Sequence, residues 1–375
     1  MENFELFLAQ SGVPIFYIKI GLGFLFSFLI TYYSVPTIIK ISRRKNLMDE
    51  PGVRSSHLRK IPNLGGIAIF YSIGICTSIF AYELFDLYKF LFASLIILLY
   101  IGVMDDIVVM RAYKKLVAQI MVSSLIVIGS DIRIRSLFGI FGVYEMDYFV
   151  SIFFSIITFI VLINAFNLID GIDGLAGGYS VICSALFGIS YYRLGEYNYP
   201  LVVLSVIIIG AVLAFLYYNL SNYRTNKIFM GDTGSMLLGF LLAFTSISFI
   251  DIFIDREISG VPRYHLQSAP VVAVAILILP IIDTLNVIVI RLVNKKSPFD
   301  ADKNHIHHKL LKLNLTHRRS SFYIIVYYLF IVATAYYFRH ININLLLLII
   351  ILLGFLGAYL PDFIYLLKKN KKTIN

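Results

Sequence analysis

The sequence predicts an all-α polytopic membrane protein, one integral domain spanning residues 1–375 with about eleven transmembrane helices. Three observations predict it. Hydrophobic residues make up 59% of the chain and charged residues 14%, with a mean hydropathy of +0.83, far too apolar for a soluble globule. Apolar runs close to the roughly 20 residues that cross a hydrocarbon core recur along the whole chain. The basic residues between these runs collect in every second loop.

The apolar segments lie near 15–35, 65–82, 88–104, 114–130, 148–166, 174–193, 200–219, 233–254, 268–292, 321–338 and 342–367. The first ten residues contain no Lys or Arg, so the first segment reads as an uncleaved spanning helix rather than a signal peptide. Lys40, Arg43, Arg44, Lys45, Arg54, Arg59 and Lys60 follow it. Lys295, Lys296, Lys303, Lys309, Lys312, Arg318 and Arg319 follow the ninth, and Lys368, Lys369, Lys371 and Lys372 sit in the tail. All of these face the cytoplasm if the N-terminus is outside and the C-terminus cytoplasmic. The net charge of +10 is therefore one-sided, suited to an anionic leaflet and anionic substrates rather than nucleic acid. Cys76 and Cys183 fall within apolar runs and read as buried hydrophobes, with no disulfide or redox chemistry. Residues 132–146, IRIRSLFGIFGVYEM, alternate like a small external β-hairpin.

The cytoplasmic loops, near 36–64, 105–113, 164–173, 220–232 and 293–320, carry the polar clusters. The first loop, with Arg54, His57 and Lys60, reads as an ordinary basic membrane flank. Asp105 and Asp106 end the third apolar run, where adjacent like charges call for a cation or a positive partner unless water solvates them. Lys115, near Gln119, is either a snorkelling interfacial residue or a phosphate ligand. The stretch NAFNLIDGIDGLAGG, residues 164–178, is a poor lipid-facing helix. Asn164, Asn167, Asp170 and Asp173 recur every third residue and predict one helical flank, with Gly171 and Gly174 letting the backbone break away.

Phe229, Gly231, Asp232, Thr233, Gly234 and Ser235 open the eighth helix as a backbone nest suited to phosphate or, more plainly, as an N-cap. His305, His307 and His308, beside Lys303 and Lys309, lack zinc-type spacing and cysteines; anion binding suits them better, or a solvated loop. Asp283, two helical turns deeper than Arg291, needs a partner or water.

Taken together, Asp105-Asp106, Asn164-x-x-Asn167-x-x-Asp170-Gly-x-Asp173-Gly, Phe229-x-Gly-Asp232-x-Gly-Ser235 and His305-x-His307-His308 resemble the polyprenyl-phosphate N-acetylhexosamine-1-phosphate transferases, over about Asp49 to His308. The H-x-H-H form looks like the branch that transfers N-acetylglucosamine-1-phosphate. The phospho-N-acetylmuramoyl-pentapeptide branch usually has three consecutive histidines, where this chain has Ile306. Val109 replaces a third acid of many relatives, and Ser55 a basic residue.

The resemblance implies transfer of a sugar-1-phosphate from a UDP-N-acetylhexosamine to undecaprenyl phosphate with release of UMP, at the cytoplasmic side of the bacterial inner membrane. It implies magnesium, or manganese in its place, held by Asn167 and Asp232, and catalytic roles for Asp105, Asp106 and Asp170. It implies uracil recognition by Asp173 and Phe229, and contacts to the diphosphate and sugar by Lys115, His305, His307 and His308. Partners are these two substrates, membrane lipid and a second copy in a homodimer. A secondary transporter of an anionic substrate is the alternative from another class; its site would sit at the bilayer midplane rather than at one border.

Overall fold

The computed structural model describes residues 14–49, 60–108, 110–223, 225–254, 266–295 and 305–374. Arg54, Ser55, His57, Arg59, Val109, Arg224, Lys296 and Lys303 lie outside the described residues. The helices are α1 (Ile15–Arg44), α2 (Gly65–Phe80), a short α3 (Glu83–Leu87), α4 (Leu91–Val108), α5 (Ala112–Ser124), α6 (Tyr148–Ile169), α7 (Leu175–Arg193), α8 (Tyr199–Asn219) and α9 (Gly231–Ile252). They continue with α10 (Ala269–Ile276), α11 (Ile278–Val293), α12 (Ile306–Lys312), α13 (His317–Tyr337) and α14 (Ile343–Ile374). All eleven predicted segments fall on these helices. Among the described residues, nine helical spans are long and apolar enough to cross a membrane, and the bent pair α10–α11 makes ten. α2 is apolar but has 16 residues, short of a usual span.

Two strands of two residues each, β1 (Met48–Asp49) and β2 (Ile61–Pro62), pair antiparallel at the neck of the first basic loop. They are too short to leave an alternation in the sequence. The expected hairpin forms from β3 (Ser136–Ile140) and β4 (Val143–Glu145), with Ile140 opposite Val143. Its turn residues Phe141 and Gly142 both have positive φ, as a twisted two-residue hairpin turn requires. The Phe141 N–H donates to Asn344 Oδ1 at 2.8 Å, pinning the turn to the start of α14.

α9 runs through the centre, with every residue from Thr233 to Ile250 buried. α2, α4, α6, α7 and α10 pack around it. Glycines let two of these helices reach its backbone: a Cβ on Gly66 would lie 2.1 Å from Gly234 N, and one on Gly102 would lie 2.5 Å from Thr233 Cα.

α10 and α11 meet at 73°. Pro280 lacks the N–H that a continuous helix would aim at the Ile276 carbonyl, four residues back. That carbonyl accepts instead from Tyr179 Oη at 2.7 Å, Tyr328 Oη at 2.9 Å and Cys183 Sγ at 3.2 Å. All three donors are buried, so the orphan acceptor is satisfied inside the bundle. Both cysteines are unbridged, as expected.

Candidate active site

Asp105 and Asp106 occupy the last turn of α4, and neighbours on a helix point in different directions. Asp106 turns to α9. Its Oδ1 accepts from Asp232 N at 2.8 Å, and its Oδ2 accepts from Thr233 N at 3.0 Å and Thr233 Oγ1 at 2.6 Å. The glycine-flanked start of α9 is therefore no open phosphate nest, as the motif had indicated. The anion that its N–H groups attract is a side chain from another helix. Gly231, at φ +71°, is required there, because a Cβ would lie 2.0 Å from Asn63 O and 2.7 Å from both Asp106 oxygens.

Asp105 faces the other way, is buried, and accepts from Met110 N at 2.6 Å. Its second oxygen pairs with Lys115 Nζ, which also donates to Asp232 Oδ2 at 2.7 Å. Asn167 Nδ2 donates to Asp232 Oδ1 at 2.8 Å and to Ser235 Oγ at 2.7 Å. α4, α5, α6 and α9 thus each bring one group to a single cluster in which two carboxylates share one ammonium. One turn deeper, Asn164 Nδ2 donates to Gln119 Oε1 at 2.6 Å and Gln119 Nε2 donates back to Asn164 Oδ1 at 3.2 Å, tying α6 to α5.

The expected single flank of four polar residues does not form. Asn164 and Asn167 lie on α6, but the helix stops at Ile169, and Asp170 and Asp173 belong to the following turn. Gly174, at φ +78°, reverses the chain there and donates its N–H to Asn219 Oδ1 at 2.7 Å. Burial, then the charges of Asp232, Asp106 and Asp173, push the Asp170 carboxyl well above the usual carboxylate range.

Asp173 behaves oppositely. Burial opposes its ionisation, yet His317 and Lys227 outweigh that and hold its carboxyl below the usual range. Lys227 Nζ lies 2.5 Å from Asp173 Oδ2 and His317 Nδ1 lies 3.4 Å from it. Oδ1 is buried and has no partner among the described residues. Lys227 Nζ also sits 5.9 Å from the centre of the Phe229 ring. Asn219 Nδ2 donates to Ile228 O at 3.0 Å while its oxygen holds Gly174, which fixes the Asp173 turn against the segment that carries Phe229. Asn219, Lys227 and His317 are site residues that motif reading missed; the available signals were a polar residue ending an apolar run and two bases flanking motifs.

The histidines approach from α12. Asp283 accepts from Ile306 N at 2.7 Å, capping α12, and its other oxygen bonds His305 Nδ1 at 2.8 Å. His305 is thereby committed to α11, which supplies the partner that Asp283 needed. His307 packs on the Asp170 turn: a Cβ on Gly171 would lie 2.3 Å from its Nε2. Burial lowers the His307 pKa to about 3, so the ring is neutral. His308 lies beside it, ring centres 4.3 Å apart. Lys309 leaves the group and pairs with Asp362 of α14 at 2.7 Å. Its charge is spent on packing, which corrects the expectation that it adds to an anion-binding surface.

Residues 88–250, which hold the acidic cluster, Asp173 and Phe229, match the family described as Glycosyl transferase family 4. Over 306 residues the chain is 31% identical to a Bacillus subtilis (strain 168) protein named "Probable undecaprenyl-phosphate N-acetylglucosaminyl 1-phosphate transferase", covering 81% of this chain and 80% of that one. The chain belongs to glycosyl transferase family 4. Other members of this family are similar to the same degree. The undecaprenyl-phosphate alpha-N-acetylglucosaminyl 1-phosphate transferase of Escherichia coli (strain K12) is 31% identical over 307 residues, 79% of this chain and 77% of that one. The decaprenyl-phosphate N-acetylglucosaminephosphotransferase of Mycobacterium leprae (strain TN) is 30% identical over 333 residues, 84% and 82%. The histidine helix α12 lies outside the span matched by the family.

Proposed function

We propose that this transferase moves N-acetylglucosamine-1-phosphate from UDP-N-acetylglucosamine to undecaprenyl phosphate, releasing UMP. The observation that carries the reading is the pair of carboxylates, Asp105 and Asp232, sharing the Lys115 ammonium. A phosphate arriving here offers Lys115 a new partner, so the cation moves from protein carboxylate to substrate oxygen without leaving the site. The acceptor phosphate oxygen then forms its bond to the β-phosphorus of the donor while the bond to the α-phosphate bridging oxygen breaks, and UMP departs with that electron pair. Positioning and charge stabilisation carry such a step. Asp105 orients the acceptor, Asp106 keeps the start of α9 in place, and Asp170, whose carboxyl is held above the usual range by burial and neighbouring acids, meets phosphate oxygens with less like-charge repulsion. Asp173 Oδ1, buried and without a partner among the described residues, takes the uracil N–H, and Phe229 stacks on the base.

Magnesium fits the donor set. Among the described residues no three His, Cys, Asp or Glu side chains converge on one metal position. Magnesium needs fewer: one or two protein oxygens plus substrate phosphates are its usual shell. Asp232 and the Asn167 amide oxygen would hold it, and it would neutralise charge on the transferring phosphate. The surplus of carboxylates around one ammonium supports the presence of a second cation.

With the short helix α2 taken as a crossing beside the ten longer spans and the N-terminus outside, this cluster lies at the cytoplasmic border of the inner membrane, with Arg111 and Lys114 close by in the chain. Because both native cysteines are buried, a cysteine introduced at exposed Asn226 reports alone. It should label only from the cytoplasm, and one at Gly142 only from outside. The donor is tested by giving purified protein undecaprenyl phosphate, magnesium and a panel of UDP-sugars, with UMP and lipid product both measured. UDP-N-acetylglucosamine should yield both, and UDP-muramoyl-pentapeptide neither. Preference for the pentapeptide donor would reassign the branch; no lipid product from any donor would end the reading.

A further inference from the structure

α11, α12, α13 and α14 line a half-open cavity of about 420 Å³, within the size range of ligand sites. Ile282, Ile306, Leu310 and Ile331 represent its aliphatic lining and Tyr327 its aromatic lining, and among the described residues Lys368 is the one charged residue on its wall. Water finds too few partners in such a space, and hydrocarbon supplies the dispersion contacts that an empty one forfeits. Lys368 ends the long apolar stretch of α14, and Lys369, Lys371 and Lys372 follow it in the sequence. An apolar chamber with a cation at its edge matches an amphiphile with an anionic head.

Two such amphiphiles are at hand, a membrane phospholipid and the polyprenyl phosphate acceptor. The packing favours the first. α5, which carries Lys115, packs chiefly on α4 and α6, whereas α13 and α14 pack on each other and on α10, α11 and α12. Lys368 and Lys115 thus stand on different groups of helices, which favours two separate phosphates.

The cavity backs directly onto the histidines. Ile306 lines it while the next residue, His307, packs on the Asp170 turn. Ile282 lines it while the next residue, Asp283, caps α12 and holds His305. We propose that the cavity binds one acyl chain of an anionic phospholipid, with the headgroup phosphate paired to Lys368, and that the bound chain braces α12 in its working position. This goes beyond the proposed reaction, and its binding test needs no turnover.

The chain contains no tryptophan, so Tyr323→Trp, on the cavity wall, gives a single fluorescent reporter. The full-length variant is placed in phosphatidylcholine nanodiscs containing a small fraction of brominated phosphatidylglycerol or brominated phosphatidylcholine. The anionic quencher should be preferred about fivefold, the worth of one lysine near a charged headgroup, and Lys368→Gln should abolish the preference. In the protein without the reporter, phosphatidylglycerol should raise kcat severalfold. Ile331→Phe, which shrinks the cavity, should remove that response while leaving the rate in pure phosphatidylcholine unchanged. Equal quenching by the two lipids, or relief of anionic quenching by undecaprenyl phosphate at equal charge, would overturn the assignment. A headgroup preference with no change in kcat would overturn the brace. Headgroup preference in a protein that forms no lipid-linked product would leave the binding site standing and remove only the reaction.

Discussion

The acidic cluster and the histidine arm reach the same place by different construction. Asp105, Lys115, Asn167 and Asp232 come from four helices; glycines bring α4 and α6 onto α9, the Gln119–Asn164 pair ties α5 to α6, and Asp106 locks the end of α4 to the start of α9. The histidines ride on a helix of seven residues, hung from Asp283 just past the bend of a broken span and backed by a cavity. Polar bonds among helices packed round α9 fix the first region, and Asp283 and Asp362, one at each side of a short helix with apolar backing, position the second. The cluster suits chemistry, which tolerates little displacement, and the arm suits gripping substrates that must enter and leave.

The hardest test of this division is the cluster itself. Asp232→Asn and Asp105→Asn should each lower kcat by about 10²–10³-fold, the usual effect of deleting one charge-stabilising group, while the proteins elute and melt like the parent. Retention of most turnover by either variant would dissolve the distinction.

Asp106→Ala separates scaffold from chemistry within one dipeptide. Losing a helix cap costs about 0.5–2 kcal/mol, so this variant should lose activity and also melt measurably lower, unlike Asp105→Asn. An unchanged melting temperature would show that the start of α9 does not depend on α4.

Asp173→Asn should raise the donor KM by roughly tenfold to a hundredfold, the worth of a hydrogen bond to a charged group, with a smaller change in kcat. A loss confined to kcat would move Asp173 from recognition into the chemical step.

The smallest effect expected concerns pH. With its pKa lowered to about 3, His307 stays neutral through the working range, so kcat/KM should show no step near the ordinary histidine value of about 6.5 that His307→Gln removes. Below that value the unfolded chain binds a proton that the folded chain refuses. Stability therefore falls as pH drops from about 6.5 towards about 3, and His307→Gln should lessen the fall. A step in kcat/KM that vanishes in the variant would make His307 a titrating acid or base.

Much of this was legible in the sequence because it rests on local pattern. Eleven apolar runs became helix, an alternating segment became the hairpin, and the four motifs contain most of the groups that meet at the site. What stayed hidden is non-local. The glycines around Asp232 announce a helix start ready for an anion, but only packing shows that Asp106 is that anion. Asn219 ends an apolar run without any motif, and its importance comes from joining two turns far apart in the chain. Lys227 and His317 belong to none of the motifs, and folding sets both on Asp173.

The bend at Leu277 bears on how such a chain varies over generations. Pro280 strands one carbonyl, and hydroxyls 97 and 52 residues away answer it. A descendant that replaced the proline would regain the missing N–H and have no further use for Tyr179 or Tyr328. One that lost the tyrosines would keep a proline it can no longer afford. Substitutions at these positions should therefore travel together, although all three lie buried in the bundle, and a mutational scan confined to the charged pocket would never find the residues that keep the bend ahead of Asp283.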